Sequence, residues 1–157
     1  SLFTVTFYYA MNATNIYIVL KDGMAKRAQV IMMEEDASEL TKFFQSSYLQ
    51  RDQNLQIALE GKSPYTYYTV RGIDHRLKMT WMWCWPWDTT ARAEFTETIP
   101  RIDGRVKSSS ADAARALYGD GFEYPPKWQG GRYAATLVKE NGQWHVRSLT
   151  LLAQVDE

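Results

Sequence analysis

Between Arg76 and Pro100 the chain reads RLKMTWMWCWPWDTTARAEFTETIP, with tryptophans at 81, 83, 85 and 87, every second position. That period belongs to a strand, whose successive side chains point to opposite faces. It predicts an apolar stripe of Leu77, Met79, Trp81, Trp83, Trp85 and Trp87 walling a hydrophobic core, with Arg76, Lys78 and Thr80 behind it. A turn at Pro86-Trp87-Asp88 then sets the register of a returning strand. Trp85 falls opposite Thr89, Trp83 opposite Ala91, Trp81 opposite Ala93 and Met79 opposite Phe95, large residues against small ones. On the reverse face Arg76 and Lys78 fall near Glu94 and Thr96, where exposed charge pairs contribute little.

The same reasoning places the other elements. Asn15–Leu20 and Arg27–Met33 read as strands of a hairpin joined at Lys21-Asp22-Gly23-Met24, since Asp-Gly suits a tight turn with positive φ. Asp36 and Glu39 form a D-x-x-E capping pair before Leu40, Phe43, Phe44 and Tyr48, which predicts an amphipathic helix. A second helical piece covers Asp52–Leu59, closed by Gly61 and Pro64. Tyr65–Val70 reads as a strand, with a bulge or bend at Gly72. Pro100 ends the tryptophan hairpin, and residues 101–131 form an excursion with a short helix at Ala111–Leu117. Arg132–Lys139 and Trp144–Gln154 make a closing hairpin around Asn141-Gly142. The sum is an α+β domain over residues 15–157: an N-terminal hairpin, then a strongly curved antiparallel sheet wrapped on the capped helix.

The charges balance at 18 basic against 18 acidic residues, so nothing predicts a nucleic-acid or anionic-surface partner. One cysteine, Cys84, excludes an internal disulfide, and neither a metal site nor a cofactor is expected. Residues 1–14 are uncharged and mostly apolar; they read as a tail, either the outer end of a membrane segment or an edge strand.

The closing GRYAATLVKENGQWHVRSLTLL, behind a helix and long antiparallel strands, resembles the nuclear transport factor 2-like, or cystatin-like cone, superfamily. The matching residues are Tyr133–Val138, Asn141-Gly142, Trp144 and Val146–Leu152. The opening, an apolar end followed by YIVLKDGMAKRAQVIM, is similar to the extracytoplasmic domains of conjugation and type IV secretion assembly factors. These resemblances imply a cone that either houses a small apolar ligand or serves as a scaffold behind a membrane helix.

In the superfamily's isomerases and cyclases a carboxylate or histidine works with tyrosines inside the cone, which makes Asp74, His75 and Glu97 the catalytic candidates. Asp74 and His75 are adjacent on a strand and cannot both enter one pocket. Glu97 shares the stripe's face and is either beyond the core edge, the expected placement, or a buried acid. Phe43, Phe44, Tyr67, Trp81 and Trp83 are the candidates to wall a ligand pocket. Trp85, Trp87, Arg92, Glu94 and Trp128 are interface candidates, because aromatic side chains dominate interface hot spots. Alternatively, the 101–131 excursion covers the tryptophan tip. The leading expectation is a non-enzymatic interaction domain on the extracytoplasmic face of a bacterial membrane, tethered upstream of Ser1. Its rivals are a small-molecule-binding or isomerase-like enzyme and a dimeric interaction module.

Overall fold

A computed structural model describes residues 2–85 and 87–155. The first element is a single helix, α1 (Leu2–Met33), 32 residues long. Short helical pieces follow: a 3-10 turn at Ala37–Lys42, then α2 (Ser46–Arg51) and α3 (Gln53–Leu59). Four strands make one antiparallel sheet in the order β1-β2-β3-β4: β1 (Tyr68–Trp83), β2 (Thr90–Val106), β3 (Gly130–Glu140) and β4 (Gln143–Val155). Helix α4 (Ala111–Tyr118) lies in the connection from β2 to β3. The fold is α+β, with the sheet curled around the helical layer but not closed.

The N-terminal hairpin expected at Asn15–Met33 is not formed, and the expected tail belongs to the same helix. Ile16, Leu20, Met24, Ala28 and Ile31 recur at helical spacing and are all buried. Asp22-Gly23 is therefore no turn; Gly23 is where the chain returns across the helix. A Cβ there would lie 2.8 Å from Phe43 Cβ. An alanine in a helix interior normally stabilises by about 1 kcal/mol over glycine. At Gly23 the sign should reverse: we expect Gly23→Ala to destabilise by about 1–3 kcal/mol in denaturant titration, the usual cost of overpacking.

Helix α1 ends at Glu34, whose φ of 56° is the left-handed conformation of a helix C-terminus. Asp36 caps the next turn, accepting from Ser38 N at 3.0 Å. The amphipathic helix expected through Tyr48 nonetheless breaks. Phe44 pairs as a parallel bridge with Val146, and backbone bonds Gln45 N to Val146 O and Val146 N to Phe43 O take the chain out of the helix. The element covering the sheet is thus α1.

Asn141 and Gly142 have φ of 51° and 79°, and the closing hairpin forms as expected. Tyr65 to Tyr67 form a 3-10 turn instead of a strand start. β2 runs past Pro100, which is tolerated because β2 pairs with β3 only as far as Glu97. A register shift falls at Gly72, as expected, and two more at Asp74/Arg76 and Met79/Trp81. The last decides where the tryptophans go.

Candidate functional site

Two polar networks lie inside the cone. His75 and Leu77 are two residues apart on β1 and face inward, as does Glu97 on β2. The Glu97 side chain is 0% exposed, so it is a buried acid and not the edge residue expected. His75 Nε2 and Glu97 Oε2 share a hydrogen bond of 2.8 Å, and Trp128 Nε1 donates to Glu97 Oε1 at 3.3 Å. Asp74 points the other way and accepts from Arg76 Nη2 at 2.9 Å. Of the catalytic candidates, His75 and Glu97 meet and Asp74 is apart.

The second network centres on Arg27 of α1. Its Nε and Nη2 donate to Asp52 Oδ2 and Oδ1 at 2.6 and 3.1 Å, a fork-to-fork geometry. Asp52 also accepts from Tyr48 Oη at 3.0 Å and, as the N-cap of α3, from Leu55 N at 3.2 Å. Burial pushes the Asp52 carboxyl up, but the Arg27 hydrogen bonds and charge, with those of Leu55 and Tyr48, hold it below the usual carboxylate range. Burial pushes the Tyr48 phenol well above its ordinary value. Asp52 and Tyr48 stand out in the sequence only as helix residues, and Arg27 as a strand residue. The available signal was a cation inside the apolar period Leu20, Met24, Ala28, Ile31, where an arginine needs a buried partner.

Between α1, α3 and the far end of the sheet lies a cavity of about 350 Å³, lined by Arg27, Ile57, Tyr65, Trp128, Tyr133 and Leu151 among others. Among the described residues no carboxylate lines it: Asp52 is taken by Arg27, and Trp128 stands at the cavity wall with its indole N–H turned to Glu97. The His75–Glu97 pair is joined by its hydrogen bond and by the bond from Trp128. It is sealed within the wall, not presented to the cavity.

The expected pocket wall is not assembled. Phe44 is core, stacked on Tyr48 at 5.3 Å, Phe43 packs against Gly23, and Tyr67 ends the 3-10 turn that precedes β1. Trp81 and Trp83 are outside. Met79 meets Phe95 as expected, but Trp81 then pairs with Glu94, Met82 with Ala93 and Trp83 with Arg92. One shifted residue turns every later side chain to the opposite face. Met82 and Cys84 take the inner positions, and Trp81, Trp83, Trp85 and Trp87 become an exposed ladder. Trp83 meets Trp85 edge-on at 4.9 Å and Trp85 stacks on Trp87 at 5.3 Å. The connection containing Trp128 does not cover them; it packs at the opposite end, where Tyr65 Oη donates to Pro126 O at 3.0 Å.

What stands beside the ladder is the start of α1. Tyr9 Oη donates to Met82 O at 3.3 Å, and Tyr9 lies 6.2 Å from Trp83. Leu2, Phe3, Phe7, Tyr8 and Met11 are exposed on the same turns. Trp87 is 69% exposed, so Trp87→Ala should change the unfolding free energy by no more than about 0.5 kcal/mol. A core-wall tryptophan would cost about 3–5 kcal/mol, which chemical denaturation separates easily.

Comparison of the chain with known protein families, curated proteins and solved structures finds no match. Among the described residues no group of three or more metal-ligating side chains is assembled, and no helix is long and apolar enough to cross a membrane.

Proposed function

We propose that the chain is a non-enzymatic interaction domain on the extracytoplasmic face of a bacterial membrane, held there by a segment upstream of Ser1. The observation carrying this reading is the aromatic end: four exposed tryptophans on the β1–β2 tip beside the exposed apolar turns of α1. Contiguous apolar surface of this kind marks interaction sites, and tryptophan and tyrosine anchor them. The first charged residue of α1 is Lys21, which suits turns lying close to a bilayer or an apolar partner. The interior supports the same reading, because both buried networks spend their polar groups on one another.

The partner docks a protein surface onto the ladder. Site-specific photocrosslinkers at positions 83 and 87 of the full-length protein in its host should yield a discrete adduct with one envelope protein. A crosslinker at Arg115, on the remote helix α4, should not. Adducts that are absent or indistinguishable between these positions would overturn the proposal.

A further inference from the structure

The cavity of about 350 Å³ has a polar end where two donors have no acceptor among the described residues. Arg27 lines it from α1 and is 5% exposed. Asp52 takes its Nε and Nη2, and no described residue accepts from its Nη1. Tyr133 lines it from β3, and its hydroxyl has no hydrogen-bond partner among the described residues either. The buried side-chain polar atoms that lack a partner and are closed to water are Tyr68 Oη, Trp144 Nε1 and His145 Nδ1. Arg27 Nη1 and Tyr133 Oη are not among them, so both open into the space their side chains line.

Both donors are fixed in place. The fork to Asp52 sets the guanidinium, and the Tyr133 ring stacks on Phe95 at 5.6 Å. The ring also folds over bare backbone: a Cβ at Gly131 would lie 2.8 Å from Tyr133 Cε2. Burial, and then the Glu97 carboxylate, raise the phenol above its ordinary range, so at neutral pH it keeps its proton. Most of the remaining wall is apolar, from Ile31, Ile57, Tyr65, Trp128 and Leu151. An apolar recess with a few convergent polar groups is the form that small-molecule sites take.

Donors without acceptors call for an acceptor on the ligand. A full negative charge is a poor match, because Asp52 already balances Arg27 and, among the described residues, no second cation lines the cavity. A guanidinium shared between two anions would not repay the desolvation of the second. The same balance disfavours Asp156 and Glu157, which follow β4 in the sequence. The depth of Arg27 excludes a flat protein surface, so the fitting occupant is a molecule that enters the cavity whole.

We propose that this cavity binds an uncharged small molecule with an apolar, ring-sized body, whose carbonyl or ether oxygen accepts from Arg27 Nη1 and Tyr133 Oη. The body lies among Tyr65, Trp128 and Leu151. The tryptophan ladder contributes no residue to the cavity, so this site and the aromatic interaction surface stand or fall separately.

The test uses prodan, an uncharged naphthyl ketone whose emission shifts when its carbonyl is hydrogen-bonded. The full chain should bind one prodan saturably, at least tenfold more tightly than naphthoate, which carries a carboxylate on the same rings. Tyr133→Phe keeps the ring and should weaken prodan binding at least fivefold. Ile31→Phe, which adds volume at the α1 wall, should weaken it as much, and Trp83→Ala should leave it unchanged. Arg27 stays intact because Asp52 depends on it. Deleting residues 156 and 157 should not alter the affinity. Absence of saturable binding overturns the proposal, as does an affinity that either Tyr133→Phe or Ile31→Phe leaves unaltered. Loss on Trp83→Ala places the probe on the ladder, and naphthoate binding as tight as that of prodan removes the preference for an uncharged ligand; each overturns it too. A tenfold gain on the deletion makes the chain's own end the occupant, with the same result.

Discussion

Asp52→Ala should lower the unfolding free energy by about 3–5 kcal/mol, because it leaves the Arg27 guanidinium buried without its counter-charge. At about 2–4 °C per kcal/mol for a chain of this size, the midpoint should fall by roughly 10 °C. The loss exceeds the net worth of the pair, since desolvating two ions offsets much of their attraction. Arg27→Met combined with Asp52→Leu should therefore recover most of it, and a double-mutant cycle measures how much. The buried pair also makes stability depend on pH through Asp52. Its folded carboxyl titrates below the ordinary value of about 3.9, so its contribution is complete above that value and lost as pH falls through the lower, folded one. Stability should hold from neutrality to about pH 4 on this account and drop below it. Asp52→Asn should flatten that acid limb. A variant with an unchanged acid limb would place the titration elsewhere.

What could be read from the chain was whatever is decided locally. Asn141-Gly142 needs two positive φ angles, Asp52 and Asp36 each satisfy free N–H groups of the following turn, and Ala111–Tyr118 is a short helix by composition and spacing. The hairpin register is right from Leu77 to Met79 for the same reason, as Met79 and Phe95 belong to one alternating pattern. What was lost depends on contacts far apart in sequence. The bulge after Met79 has no glycine to announce it, yet it moves four tryptophans from the core to the surface. Gly23 was ambiguous in a different way. Beside Asp22 it carries the chemistry of a hairpin turn, and only the packing of Phe43 and Phe44, some twenty residues on, shows that it is there for close approach. The buried acid at Glu97 was legible as a position on the inner face, but its partners were not. His75 meets it across the β1–β2 pairing, and Trp128 comes from an irregular connection whose path no periodicity predicts.

Glu97→Ala is expected to be the most damaging change on the inner face of the sheet. It leaves His75 Nε2 and Trp128 Nε1 facing a void where two hydrogen bonds had been. Unsatisfied buried donors cost about 1–3 kcal/mol each, which puts the total for the two at about 2–6 kcal/mol. Glu97→Gln keeps the volume. Its amide oxygen can still accept from Trp128 and its amide N–H can donate to His75 in the other tautomer, so about 1–2 kcal/mol should be lost. The difference between the two variants separates a hydrogen-bonding role from simple filling. The two also differ in place of effect. Trp128 is tied to Glu97 and packs 6.4 Å from Tyr65, so losing the acid frees the wall of the cavity first. Hydrogen exchange in Glu97→Ala should therefore rise in residues 123–129 before β2 and β3 exchange globally. A uniform rise through the whole sheet would mean that Trp128 is held by its packing against Tyr65 and not by the hydrogen bond to Glu97.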